Sequence, residues 1–203
     1  MIIEGIITTE NADGSMHVAP IGPHVDRELR SWSVKPFQTS TTFQNFARTN
    51  RAIFHVTDDA LLMAASVLGI GNTPAPIVLP PHRQQHWSDR LQQRRTSIWV
   101  PEKGWMLEQT CQAFALRAER WDVSAPRAHA DCSMVQKWEL RPFWGWNRAK
   151  HSILELAILV SRRQWLAPHE WQSESERHRV FIEKTAGTDE QEALELLQEA
   201  MST

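Results

Sequence analysis

Apolar residues cluster first at Ile2, Ile3, Ile6 and Ile7 and resume at Met16, Val18 and Pro20, with Asn11-Ala12-Asp13-Gly14 between them. Asp-Gly supplies the positive φ of a tight turn, so the chain is predicted to open with a β-hairpin. Residues 29–34 read as a third strand, with Leu29, Ser31 and Ser33 on one face and Arg30, Trp32 and Val34 on the other. The period then changes. Over 39–50, Phe43, Phe46 and Ala47 fall at i, i+3 and i+4 behind a run of hydroxyl residues, the pattern of a short amphipathic helix with a good N-cap. Residues 52–57 are strand-like, and Asp58-Asp59 can cap a helix over 60–68 that Gly69 would end.

Between residues 71 and 103 prolines and polar residues take over, including Pro74, Pro76, Pro80 and Pro81, with a helix predicted around 87–94. Two long strand patterns follow, over 104–122 and 127–140, which should pair as an antiparallel hairpin across Val123-Ser124-Ala125-Pro126. The last third is helical. Ile153, Leu154, Ala157, Ile158 and Val160 mark a buried helix, Pro168 opens a more polar one, and Thr188-Asp189-Glu190-Gln191 fits a capping box for a final helix. The expected fold class is α+β, an antiparallel β-barrel decorated by helices. Its expected organisation is a barrel domain over 1–146, carrying a Pro-rich excursion at 71–103, and a helical region over 147–203.

With 203 residues and 41% hydrophobic content, the chain suits one compact domain with a helical appendage. The net charge of −2 gives no global attraction to nucleic acid or to an anionic membrane, so an anionic ligand would need a local site. No segment reaches the roughly 20 apolar residues of a membrane span. Cys111 and Cys132, in a chain whose start lacks a secretory pattern, are expected as reduced thiols in a cytoplasmic protein.

One segment invites chemistry. Lys35-Pro36-Phe37-Gln38-Thr39-Ser40-Thr41-Thr42-Phe43-Gln44-Asn45 brings four consecutive hydroxyls to a helix start, where free N–H groups and the dipole favour an anion. Lys35 and Arg48 could add positive charge. Two readings stand side by side: a phosphate cradle, or a single capping residue with solvated neighbours.

Several stretches together resemble a poorly characterised, largely archaeal family of flavin-reductase-like, FMN-binding split-barrel proteins. They are Ile3-Glu4-Gly5-Ile6-Ile7-Thr8-Thr9 with Asp13-Gly14, His17-Val18-Ala19-Pro20-Ile21-Gly22-Pro23, Lys35-Pro36-Phe37 with Ser40, Thr42 and Asn45, Val56-Thr57-Asp58-Asp59, and Asn147-Arg148-Ala149-Lys150 with Glu155 and Ser161-Arg162. The resemblance implies an antiparallel split barrel that forms a homodimer with FMN at the interface. It places the cofactor's phosphate and ribityl chain at Thr39, Ser40, Thr41, Thr42 and Asn45, with Lys35 adjacent. The flavin ring would lie beside the strand His17, Val18, Ala19, Pro20, Ile21 and Gly22, and Asn147 and Arg148 would complete the pocket. His55 stands where related flavin reductases commonly carry Asn, and a ring nitrogen there could donate in its place.

Other constellations carry less. Gly69-Ile70-Gly71-Asn72-Thr73-Pro74 begins like a dinucleotide fingerprint but follows a helix pattern and has Pro where the last glycine belongs. His82 and His86 have helical metal-ligand spacing without the Glu of a metalloprotease motif, and solvated histidines are the expectation. His129-Ala130-Asp131-Cys132 offers three ligand types on alternating strand faces, and no metal is expected. Glu155 in an apolar helix either pairs with Arg148 or Arg162 or faces solvent, and Trp144 and Trp146 either stack on a ligand or pack at a dimer interface. The expected function is FMN binding with flavin-dependent oxidoreductase chemistry. The alternatives are a non-catalytic flavin carrier or sensor, or a binder of another phosphorylated cofactor such as pyridoxal phosphate or a deazaflavin.

Overall fold

The computed structural model describes residues 1–72 and 79–202. Chain contacts divide the molecule into two compact units, Met1–Thr57 with Arg94–Pro142, and Asp58–Gln93 with Phe143–Thr203. In the first unit the strands are β1 (Gly5–Glu10), β2 (Met16–Ile21), β3 (His24–Val25), β4 (Trp32–Val34), β5 (Arg51–Val56), β6 (Ser97–Val100), β7 (Gly104–Leu107), β8 (Gln112–Asp122) and β9 (His129–Glu139). Helix α1 (Thr41–Thr49) lies between β4 and β5.

Seven strands form one antiparallel sheet in the order β2-β1-β5-β8-β9-β4-β3. The residues ahead of β1 reach its far end, where Ile2 bridges His24 and Met1 and Val25 exchange two main-chain hydrogen bonds of 2.8 Å. The sheet thereby curls into an antiparallel split β-barrel. Its interior is filled by Ile7, Trp32, Val34, Phe46, Phe54 and Phe114, all buried, with the Trp32 ring 5.6 Å from Phe54 and 5.1 Å from Phe114. Each such side chain contributes about 1.5–3 kcal/mol on burial. Phe46 belongs to α1, so the helix is anchored by the barrel core.

The β6–β7 hairpin packs a second, smaller cluster of Ile53, Met106, Ala113 and Ala115. It is fastened by polar contacts: Thr8 Oγ1 donates to the Trp105 carbonyl, Trp105 Nε1 donates to the Gly14 carbonyl at 3.0 Å, and the Leu107 amide donates to His55 Nε2 at 3.1 Å.

The second unit is helical: α2 (Ala60–Leu68), α3 (Pro81–Leu91), α4 (Arg148–Val160), α5 (Pro168–Thr185) and α6 (Thr188–Ser202). Its core includes Leu61, Leu68, Trp87, Ile153, Leu156 and Leu196. Buried Trp87 satisfies its indole N–H on Glu199 Oε2 at 2.9 Å, and Arg83 pairs with the same carboxylate. Asp59 caps α2 by accepting from the Leu62 amide at 2.9 Å, and Gly69 closes it in the left-handed conformation.

The structure refines several expectations. The pattern over 104–122 is interrupted after Leu107, where Thr110 Oγ1 donates to the Leu107 carbonyl at 3.2 Å and the Cys111 amide turns to the Val56 carbonyl. The excursion contains a strand, β6, that its polar residues conceal. Within 29–34 only Trp32–Val34 is strand, because Asp26 Oδ1 accepts from the amides of Arg30 and Ser31 and holds Leu29 at φ 56° in a turn. The helix expected around 87–94 starts earlier, at Pro81, whose missing N–H costs nothing in a first turn. The final helix begins with Thr188 already helical, and Glu190 reaches back to the Gly187 amide at 2.7 Å, one residue before the predicted cap.

Candidate functional site

At the start of α1, Ser40 has extended backbone angles, its Oγ accepts from the Phe43 amide at 3.1 Å, and the same hydroxyl donates to the Phe37 carbonyl at 2.7 Å. Ser40 is therefore the cap. The first main-chain bond of the helix runs from the Gln44 amide to the Ser40 carbonyl, so the amides of Thr41 and Thr42 have no partner within the helix. Thr39 is exposed and Thr41 is half-buried. Thr42 is buried with Oγ1 3.2 Å from His17 Nε2. Asn45, also buried, donates to Thr9 Oγ1 at 3.2 Å and to Asn11 Oδ1 at 2.8 Å. Both side chains thus tie the helix to the opening hairpin, on the face of β1 and β2 where Thr9 is paired with His17.

Strand β2 carries the next group. His17, Val18, Ala19, Pro20 and Ile21 lie on β2, the first strand in the order of the sheet, where a proline removes no ladder bond that an interior strand would need. Val18 turns into the core. Burial, and secondly the charge of Arg95, push the His17 imidazole down to about 4, so it is neutral at pH 7. Gly22 follows the strand, and a Cβ there would sit 2.8 Å from Ile2 Cγ2 and 3.0 Å from the Glu4 carboxylate, so a side chain would have to displace these two. Lys35 is half-buried, and its carbonyl accepts from Arg127 Nη1 at 3.2 Å. Arg48, the other cation expected near this turn, sits in the last turn of α1 and donates to the Glu10 carbonyl.

His55 is wholly enclosed. Its Nδ1 faces the Ile6 carbonyl at 3.3 Å while Nε2 accepts from Leu107, which assigns the proton to Nδ1. Burial pushes this imidazole down to about 4 against the opposing pull of its main-chain acceptors. Both ring nitrogens are committed to the main chain, and a bond to a ligand would require giving one up.

Asn147 and Arg148 belong to the helical unit. Asn147 caps α4 through Oδ1 to the Lys150 amide at 3.1 Å and donates from Nδ2 to the Thr185 carbonyl at 3.0 Å, while the Arg148 guanidinium lies over the Phe181 ring at 5.8 Å. In the same unit Trp144 and Trp146 are 86% and 87% exposed and border a groove of about 630 Å³ with Lys150 and Glu190. Glu155 faces solvent.

Among the described residues, no three His, Cys, Asp or Glu side chains come together as a metal site. His82 and His86 are exposed on α3, and His129 Nε2 lies 2.5 Å from Ser33 Oγ and 3.2 Å from Asp131. The buried Cys132 thiol is pushed up to about 12, by burial first and by Asp131 and Glu119 after it, which leaves it unreactive at neutral pH. Gly69 and Gly71 follow helix α2, and Thr73 and Pro74 of the glycine motif lie outside the described residues, as does Pro76. No helix among the described residues is long and apolar enough to cross a membrane.

Sequence reasoning missed Thr9 and Asn11 as the groups that hold Asn45, and Gln38 as a tether for the turn before α1. A polar pair, Thr8-Thr9, inside an otherwise apolar strand was the available signal for the first of these.

A curled antiparallel sheet with a capped helix beside its opening hairpin defines a split-barrel protein. Residues 3–119 match the family described as "Protein of unknown function (DUF447) N-terminal domain", and residues 147–199 match "Protein of unknown function (DUF447)". The chain belongs to this family. Its fold is similar to that of an FMN-bound protein of the same family from Methanosarcina mazei, with a TM-score of 0.75 at 19% identity over 98% of this chain and 94% of the other. A flavoredoxin from Methanosarcina acetivorans shares the fold at TM-score 0.51 and 8% identity, covering 68% of this chain and 69% of its own. The flavin reductase HpaC, complexed with NADP+, gives 0.51 and 8%, covering 70% and 81%. Among curated proteins nothing matches.

Proposed function

We propose that this protein binds FMN in its split barrel and acts as a flavin-dependent oxidoreductase of the flavin-reductase type. The observation that carries the reading is the shared fold, over 98% of this chain, with an FMN-bound member of the same family. The donor set at α1 is compatible with it. A phosphate needs several N–H and O–H donors and gains from a helix N-terminus. The amides of Thr41 and Thr42 and the hydroxyls of Thr39, Thr41 and Thr42 supply such donors, while Ser40 and Asn45 hold the turn in place.

In this reading the edge strand His17–Ile21 borders the flavin ring, with Lys35 as a further contributor, and two copies of the chain enclose the cofactor between them. Neutral His17 orients the Thr42 hydroxyl. His55 acts from behind by fixing β1 and β7. When bound, the flavin supplies hydride transfer, and the chain positions the ring and excludes water. No side chain in the cluster is placed as an acid or base, which suits chemistry that resides in the cofactor.

The test is titration of the purified protein with FMN, followed by visible absorption, with sedimentation to count subunits. Saturation near one FMN per chain supports the cofactor assignment, and oxidation of NADH or NADPH by the loaded protein supports the enzyme. A protein that leaves the flavin spectrum unchanged at high FMN overturns the assignment. Loaded protein that stays oxidised with both nucleotides marks a carrier or a different electron donor.

A further inference from the structure

We infer that the tip of the β8–β9 hairpin is the positioning device of the phosphate turn, and that Gln38 and Arg127 set the protein's preference for a phosphorylated flavin over an unphosphorylated one. This rests on the cofactor reading above and adds residues that it does not assign. Thr39–Thr42 span the passage from the turn after the short strand β4 into the first residues of α1, and Ser40 alone does not fix where this segment points. Gln38 does so with three hydrogen bonds to one short stretch of chain. Its Nε2 donates to the carbonyls of Val123 at 2.8 Å and Ala125 at 2.6 Å, and its own amide donates to the Pro126 carbonyl at 3.1 Å.

Arg127 grips the neighbouring residues. Its guanidinium lies 3.9 Å from the centre of the Phe37 ring, its Nη1 donates to the Lys35 carbonyl, and Phe37 and Arg127 form a main-chain bridge. The Ala128 amide adds a bond to the Pro36 carbonyl at 3.0 Å. The clamp leads directly to the helix start, because the Phe37 carbonyl it holds is the acceptor for both the amide of Ser40, at 2.9 Å, and its hydroxyl. Hairpin tip, Phe37, Ser40 and the amides of Thr41 and Thr42 thus form one mechanical series.

Hydrogen bonds to a phosphate weaken steeply when their donors are misaligned, and a mobile turn must be ordered at the moment of binding. Flavin without its phosphate calls on this turn much less, through its ribityl chain alone. A side chain that is only structural would affect both ligands alike, whereas a positioning residue separates them.

The experiment compares FMN with riboflavin on the wild-type protein and on Gln38→Ala, together with hydrogen exchange at the hydrogen-bonded amides of Ser40 and Phe43 in the unliganded protein. The expected result is FMN affinity lowered about tenfold, riboflavin affinity lowered far less, and faster exchange at the Ser40 and Phe43 amides, whose bonds to the Phe37 carbonyl and the Ser40 hydroxyl the tether holds in place. Arg127→Lys, which keeps the charge and gives up the stacking, gives the same split in smaller measure and serves if Gln38→Ala folds poorly. Equal loss for both flavins, no loss for either, or unaltered exchange at Ser40 and Phe43 overturns the inference while the cofactor reading stands. Wild-type protein that binds neither flavin overturns both.

Discussion

The two units bury polar groups in different ways. In the barrel these are Thr8, Thr9, Thr42, Asn45, His55 and Thr110, with no carboxylate or ammonium among them. In the helical unit they include Asp58 and Glu190, and Glu190 is matched on both oxygens, by Lys150 Nζ at 3.2 Å and by the Gly187 amide at 2.7 Å. Lys150 also donates to the Asp58 carbonyl at 2.5 Å. The N-caps sharpen the contrast. Asn147 uses both ends of its side chain within its own unit, whereas the turn capped by Ser40 keeps donor capacity beyond its cap. Saturated polar groups hold a fold together, and unsaturated donors gathered at a helix start leave room for a ligand.

That contrast fails if the buried groups of the barrel prove to be merely passive, and His55 gives the largest effect. Its folded value of about 4 lies below the ordinary 6.5, so the unfolded chain takes up the proton first as pH falls. The stabilisation is fully present above pH 6.5 and is lost as pH falls through about 4, by roughly 3 kcal/mol for a shift of this size. His17 acts in the same direction. Urea unfolding between pH 7 and pH 4 should show this slope, and His55→Gln should flatten it. An unchanged slope would remove His55 from the account.

In the helical unit, Lys150→Met leaves the Glu190 carboxylate buried with one partner fewer. Breaking such a pair costs about 3 kcal/mol when buried, and somewhat less here because the Lys150 side chain is 26% exposed. Chemical denaturation followed by circular dichroism measures it, and a variant as stable as the wild type would show that the pair is dispensable. Thr42→Val keeps the shape of the side chain and removes its hydroxyl. It should weaken FMN binding by about 1.5–3 kcal/mol if that hydroxyl meets the phosphate, and isothermal titration would show it. Asn147→Ala should cost about 1 kcal/mol of stability, the ordinary loss of a cap, read from thermal melts. A much larger loss would mean that its bond to Thr185 contributes more than the cap.

The elements whose signals are local were legible in the chain. Asp13-Gly14 placed the opening hairpin, the hydroxyl run and the spacing of Phe43 and Phe46 placed α1, and Asp59 and Gly69 bounded α2. The break after Leu107 was not legible, because it depends on partners distant in the chain, His55 and Val56 among them, whereas strand β6, paired with its neighbour β7, was hidden by the polar residues around it. At the candidate site the sequence pointed to the right helix start and to Ser40 as one possible cap, but Arg48 lies in the last turn, and the tether of Gln38 to residues 123–126 spans more than eighty positions.

The sequence by itself determined the local periods and caps, since these rest on interactions within a few residues: turns, first-turn hydroxyls, and faces repeating every second or every third to fourth position. Only the tertiary structure decided which donors were already spent. Ser40, His55 and Asn147 carry the same capacity for a ligand in any unfolded chain. Packing gives His55 its bonds to Ile6 and Leu107 and Asn147 its bond to Thr185, whereas the bonds of Ser40 to Phe37 and Phe43 and of Asn147 to Lys150 are local caps, and the amides of Thr41 and Thr42 stay outside the bonding of their own helix.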